Sequence, residues 1–262
     1  MSDSTARCLN CTHPLLSGSF CPQCGQRQPH RLTVGHVVHE LVHVFTHADN
    51  TIVGYVPQLL FHPGRLVADY LAGRRKRYFN PFQFLLLVVG LATAAAALLH
   101  YYEATGAEMQ RRFTGRMPAD QLARMVNYFN YLGKYYNVWW LLLALPMYSF
   151  FTWLIYRNRK LNYAESFFVH VVVGSAFNLY LALIWFVLWA MQYKVLATTS
   201  VAPAVQVFVV LLYLSLIGRN GLGLSWAGAS WRALLTVVLS AAGSYILNTI
   251  VFRWYVFGHL MR

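Results

Sequence analysis

The chain has 262 residues, of which 58% are hydrophobic and 11% charged, with a formal net charge of +13. Soluble domains carry about 25% charged residues, so this composition excludes an ordinary water-soluble globule. The basic balance does not imply nucleic acid as a partner, because residues 1–30 hold only Arg7 and Arg27 against Asp3, and the dense cationic run lies much further on.

The first feature in chain order is Cys8-Leu9-Asn10-Cys11 followed by Cys21-Pro22-Gln23-Cys24, with nine residues between the pairs and no other cysteine. Each knuckle offers two thiolates, and the short spacer returns the chain to bring both pairs to one ion, the spacing of a four-cysteine zinc ribbon. Pro22 and Gly25 suit the knuckle turn, and Gly18 suits the hairpin between knuckles. Two disulfides are the alternative pairing. A closed four-thiolate set has no open position, so a zinc held by Cys8, Cys11, Cys21 and Cys24 is expected to be structural. Its reduced thiols place this end in the cytoplasm. No cleavable signal segment is read ahead of it.

Residues 32–48 follow helical periodicity, with Val34, Val37, Val38, Leu41, Val44, Phe45 and Ala48 on one side. His36, His39, His43 and His47 form a stripe on the other. Such an amphipathic helix is expected to lie in the membrane interface, with its imidazoles toward water or another protein element. Asp49 and Asn50 end it, and residues 51–60, interrupted by Pro57, form a second amphipathic or re-entrant piece. Within the stripe, His39-Glu40-Leu41-Val42-His43 has the HExxH form, which sets two imidazoles on one zinc with the glutamate as general base. Thr46 stands where the metzincin extension has glycine, and His47 is a strained third ligand. Asp69 and Glu165 are acids on the same side of the membrane, but neither sits in a ligand motif. Three readings of the stripe follow. It is a polar interfacial face, a second metal or pH-sensing site built from His36, His39, His43 and His47, or a hydrolytic centre with Glu40 as catalytic base.

Pro63-Gly64 is a turn signal. A short helix follows, Gly73 ends it, and Arg74-Arg75-Lys76-Arg77 is placed to meet anionic lipid head groups. Asn80-Pro81 then starts the first membrane span, with proline at an early helical position. The knuckle Phe20-Cys21-Pro22-Gln23-Cys24-Gly25-Gln26, the amphipathic helix, Pro63-Gly64 and the run Tyr70…Gly73-Arg74-Arg75-Lys76-Arg77-Tyr78…Pro81 resemble a bacterial domain-of-unknown-function family. Its members are multi-span membrane proteins with an N-terminal four-cysteine zinc ribbon. The resemblance covers about residues 8–100 and implies a layout rather than a reaction.

Apolar stretches of bilayer length occur at residues 82–100, 138–156, 167–190, 201–217 and 233–252, the fourth being short and starting near Pro203. With a cytoplasmic N-terminus, thirteen Lys/Arg residues fall inside and eight outside, which favours N-in and C-out, although the outer loop is basic too. No Asp or Glu lies in mid-span, which disfavours proton-coupled transport, and Asn178 and Asn248 are expected to cement helix packing. In the outer segment, a helix near residues 119–131 carries Leu122, Met125, Val126 and Phe129 on one face, suited to docking on the membrane surface. The glycine-rich residues 218–231 read as a flexible cytoplasmic turn.

The expected architecture is an all-α polytopic membrane protein of about five transmembrane helices with a small N-terminal zinc ribbon and an interfacial amphipathic helix. Residues 1–30 form the ribbon, 31–81 the interfacial helices and basic segment, and 82–262 the transmembrane domain. The expected role is a non-enzymatic adaptor, scaffold or assembly subunit in the bacterial inner membrane. It meets the lipid bilayer, another protein through the ribbon, and a second copy of itself in a homo-oligomer. A zinc metalloprotease using the HELVH motif and a small-solute permease or its accessory subunit are the alternatives.

Overall fold

Helices joined by short turns make up most of the computed structural model, which describes residues 7–15, 19–27, 31–35, 52–159, 161–191 and 201–258. Among these residues there is no strand, only single antiparallel bridges at Arg7–Pro14 and Phe20–Arg27. The interfacial helix expected over residues 32–48 lies largely outside the described residues.

Helix α1 (Ile52–Phe61) runs unbroken through Pro57 and buries Tyr55 and Leu59. The break expected at Pro63-Gly64 falls instead at His62, and Pro63 is the first residue of α2 (Pro63–Leu71). Proline is tolerated there because the first N–H of a helix has no intrahelical acceptor. Gly64 is needed for contact rather than for a turn. A Cβ on it would stand 2.7 Å from the Leu216 carbonyl oxygen, and one on Gly221 would stand 2.8 Å from the Gly64 oxygen. Gly73, at φ 91°, closes the turn after α2 as expected. Asn80 then caps α3 (Pro81–Leu98), its Oδ1 accepting from Phe82 N at 2.9 Å.

The outer segment folds as α4 (Tyr101–Phe113) and α5 (Ala119–Trp139), which continues through a π turn (Trp140–Ala144) into α6 (Leu145–Ile155). The π turn has a local cause: Pro146 cannot donate to the helix ladder, and Leu145 N–H reaches back five residues to Trp140 O. Then come α7 (Tyr163–Ala190), α8 (Val201–Asn220) and α9 (Trp226–Phe257).

Among the described residues, four helical stretches are long and apolar enough to cross a membrane: Pro81–Leu98, Asn137–Ile155, Tyr163–Ala190 and Trp226–Phe257. About five were expected. The remaining candidate, residues 201–217, falls in the 20-residue α8, where Ala204–Asn220 is apolar. It still belongs to the bundle and packs on α2, α7 and α9. The flexible turn expected at residues 218–231 is corrected. It shrinks to the few residues between α8 and α9, because Gly218 packs against Ala229 and Gly221 against Gly64.

Helices α3 and α7 run side by side in the same direction, Phe82 meeting Phe168 at one end and Tyr101 meeting Trp185 at the other. Lipid offers no hydrophobic drive between helices, so their contact depends on close packing of small side chains. Ala92, Ala96 and Ala176 are fully buried here. The π turn places Trp140 against Gly174 of α7, where a Cβ would come within 2.3 Å of the indole ring. The α5 face expected to dock on lipid docks on protein instead: Met125 and Tyr128 are buried with Val256, and Leu122, Phe129 and Phe252 pack around them.

Candidate metal centre

Two chain segments of the same shape build the N-terminal head. In the first, Cys8 N–H donates to His13 O at 2.9 Å and Thr12 N–H to Cys8 O at 2.8 Å. In the second, Cys21 N–H donates to Gln26 O at 2.8 Å and Gly25 N–H to Cys21 O at 2.9 Å. The residue after each second cysteine is left-handed, Thr12 at φ 61° and Gly25 at φ 66°. Glycine accepts that conformation freely, whereas a β-branched residue is strained in it.

The four Sγ atoms lie within 4.8 Å of one another. Cys8 faces Cys24 and Cys11 faces Cys21, each pair at 3.6 Å. A disulfide needs about 2.05 Å, and all four thiols are free. Tetrahedral coordination at about 2.3 Å per bond separates sulfurs by about 3.8 Å, so the set fits a metal ion. The thiols also differ in proton affinity. The Gln26 N–H draws Cys24 down to about 6 despite desolvation. For Cys11 a hydrogen bond from His13 pulls the other way, yet desolvation and the neighbouring thiols push it up to about 12. Four adjacent sulfurs cannot all ionise without a cation among them, and a bound metal supplies one.

Among the described residues the head forms no apolar core of its own. Among its described residues only Cys8, Cys21 and Gln26 are buried, while Leu9 is 50% and Phe20 61% exposed. It is tied instead to the membrane domain. Gln26 reaches the turn after α2, its Nε2 donating to Gly73 O and its Oε1 accepting from Lys76 N at 3.4 Å. Leu32 is buried in the main core. Its carbonyl accepts from Asn162 Nδ2 at 2.8 Å, just ahead of α7. Arg31 forks onto Glu165, Nε to Oε1 at 2.7 Å and Nη2 to Oε2 at 2.9 Å. Glu165 and Asn162 also cap α7 reciprocally, each side chain taking the other's backbone N–H at 2.8 Å.

The basic turn folds around Asp69. Its Oδ1 accepts from Arg74 Nε at 2.9 Å and from Arg74 Nη2, and its Oδ2 from Tyr78 hydroxyl at 2.7 Å and Arg77 Nη1 at 3.3 Å. Burial pushes the Asp69 carboxyl up, but Tyr78, Arg74 and Arg77 outweigh it and hold it below its ordinary range. Burial and Asp69 together push the Tyr78 phenol up to about 12. Of the expected head-group cations, Arg74 and Arg77 therefore sit on a carboxylate. Arg75 lies over the Tyr70 ring at 5.2 Å and donates to Tyr70 O at 3.3 Å, while Lys76 is exposed.

Glu40, His36, His39, His43 and His47 lie outside the described residues, so the HELVH motif has no geometry here. The sequence marks Asp69 and Glu165 only as acids on the same side of the membrane as that motif, and the fold pairs both with arginines. Their signal was present: each is the one acid in a stretch otherwise rich in cations, Asp69 between Arg65 and Arg74, Glu165 just after Arg157, Arg159 and Lys160. Gln26 carried no signal beyond its place in the knuckle. In the bundle, Asn248 accepts from Tyr128 hydroxyl at 2.6 Å, which is helix-packing work as expected, whereas Asn178 donates to Gly174 O of its own helix at 2.9 Å. His170 is buried against Thr152, Nε2 to Oγ1 at 2.6 Å.

No curated protein and no solved structure matches the chain. One family model, described as "Protein of unknown function (DUF3667)", matches residues 49–93, a stretch that holds α1, α2, the basic turn and most of α3 but none of the cysteines and none of the later helices.

Proposed function

We propose that the chain is a non-enzymatic adaptor or assembly subunit of the bacterial inner membrane, with a cytoplasmic N-terminus and a head held together by one structural zinc. The carrying observation is the coreless head. Among its described residues the buried ones are two cysteines and one glutamine, and its four sulfurs stand at metal-binding separation. Soft thiolates in a tetrahedral set select zinc, and a closed set has no position for substrate. Anchored on the bundle by Gln26, Arg31 and Leu32, the head displays Leu9 and Phe20 to solvent as the surface for a protein partner. Arg75 and Lys76, beside the Asp69 cluster, face anionic lipid head groups.

Metal content and crosslinking test this together. Purified protein is expected to hold one zinc per chain, lost in Cys24→Ser. A photo-crosslinker at position 20 is expected to trap one discrete partner in cells, and Leu9→Ser is expected to abolish that product while the zinc stays. Protein without zinc sinks the metal reading, and zinc-loaded protein that traps nothing sinks the adaptor reading.

A further inference from the structure

One residue of the head belongs both to the sulfur cluster and to the membrane domain. The main chain of Gln26 closes the second knuckle, its carbonyl accepting from Cys21 N–H at 2.8 Å and its N–H bonding Cys24. Its side chain is buried on the Gly73–Lys76 turn, where it takes the Lys76 N–H and donates to the Gly73 carbonyl. The turn's own main-chain bonds are local, Arg74 N–H to Asp69 O at 2.9 Å and Arg75 N–H to Gly73 O at 3.1 Å. Gln26 thus clips this turn to a head whose described residues offer no apolar core to keep its shape once the sulfurs are released. A knuckle that opens moves the Gln26 backbone and withdraws both side-chain bonds at once.

We propose that metal occupancy of Cys8, Cys11, Cys21 and Cys24 controls the basic turn Gly73–Lys76, with Gln26 as the coupling residue. The inference rests on the metal reading above and adds its regulatory consequence. The loaded head holds the turn against α2. The metal-free head withdraws both Gln26 bonds, and the Lys76 end of the turn follows an anionic lipid surface while Arg74 and Arg75 stay on Asp69 and Tyr70. Coupling between two sites is reciprocal, so an anionic surface that draws the turn away weakens metal binding by the same factor.

The test uses the full chain in nanodiscs of neutral lipid or of neutral lipid mixed with phosphatidylglycerol. Amide hydrogen exchange is followed over residues 73–78 while metal content is measured in parallel. In wild type, chelation is expected to speed exchange there about tenfold, and zinc added back is expected to restore protection in step with occupancy. Gln26→Met, similar in size but unable to make either bond, is expected to keep its zinc and exchange fast in both states. Chelator competition is expected to show weaker zinc binding in anionic than in neutral discs for wild type, and equal binding for Gln26→Met. Exchange that stays unchanged in wild type while zinc leaves overturns the coupling, and so does zinc affinity indifferent to lipid charge. Wild type that holds no zinc fails at the metal reading instead, and the metal measurement alone reveals that failure.

Discussion

Asp69→Asn is the most informative single change, because one buried carboxylate organises the whole basic turn. Asp69 is 5% exposed and accepts from Arg74, Arg77 and Tyr78. An amide keeps the shape but replaces one oxygen by a donor. In either orientation it faces donors it cannot accept from: Tyr78 and Arg77 one way, the Arg74 fork the other. Hydrogen bonds to a charged group contribute about 1.5–3 kcal/mol each, and a buried hydroxyl without an acceptor costs about 1–3 kcal/mol. The arginine side chains are 40% and 45% exposed, so solvent screens their share heavily. Tyr78, at 8% exposed, has no such relief. The expected loss is about 3 kcal/mol, or roughly 6–12 °C in Tm at about 2–4 °C per kcal/mol for a chain of this size. Thermal unfolding in detergent, read by near-ultraviolet circular dichroism, measures it. The pH dependence has a fixed sign. The folded carboxyl is held below its ordinary value of about 3.9, so its contribution is full above that value and fades as pH falls through the depressed one. The gap between wild type and Asp69→Asn is therefore expected to narrow below about pH 4. A Tm within 2 °C of wild type at neutral pH, or a gap that widens in acid, would refute the reasoning.

Further changes address the head and the packing. Thr12→Gly relieves a left-handed threonine and is expected to gain about 1 kcal/mol, and Gly25→Ala to lose about as much. In chelator competition these are shifts of about fivefold in opposite directions. Gly64→Ala drives a Cβ toward the Leu216 carbonyl and is expected to cost about 1–3 kcal/mol, whereas Gly54→Ala on α1 meets nothing within 4 Å and is expected to gain up to about 1 kcal/mol in the same melt. Tyr128→Phe removes the hydroxyl that Asn248 accepts, and a double-mutant cycle with Asn248→Ala is expected to give a coupling of about 0.6 kcal/mol.

The sequence by itself determined what depends on composition, period and spacing. Two CxxC pairs and no other cysteine mark the four sulfurs as one set, and the knuckle turns that present each pair are local. Long uncharged runs make helices of bilayer length because lipid leaves the backbone no other partner. The spans expected at residues 82–100, 138–156 and 167–190 accordingly lie within a few residues of Pro81–Leu98, Asn137–Ile155 and Tyr163–Ala190. The Asn80 cap and the Gly73 stop were legible for the same local reason.

Tertiary structure decided whatever depends on partners distant in the chain. Pro63-Gly64 has the composition of a turn, but the glycine serves a contact with α8 more than 150 residues away. The α5 face has the pattern of a surface helix, yet an apolar stripe looks the same whether lipid or α9 covers it. Arg74-Arg75-Lys76-Arg77 reads as four head-group cations until Asp69 takes two of them and Tyr70 a third. Gln26 is ordinary in sequence and acquires its role only because the fold lays the head on the Gly73–Lys76 turn. Local geometry is written in neighbouring residues, whereas the pairing of a side chain with a distant partner exists only once the chain has closed on itself.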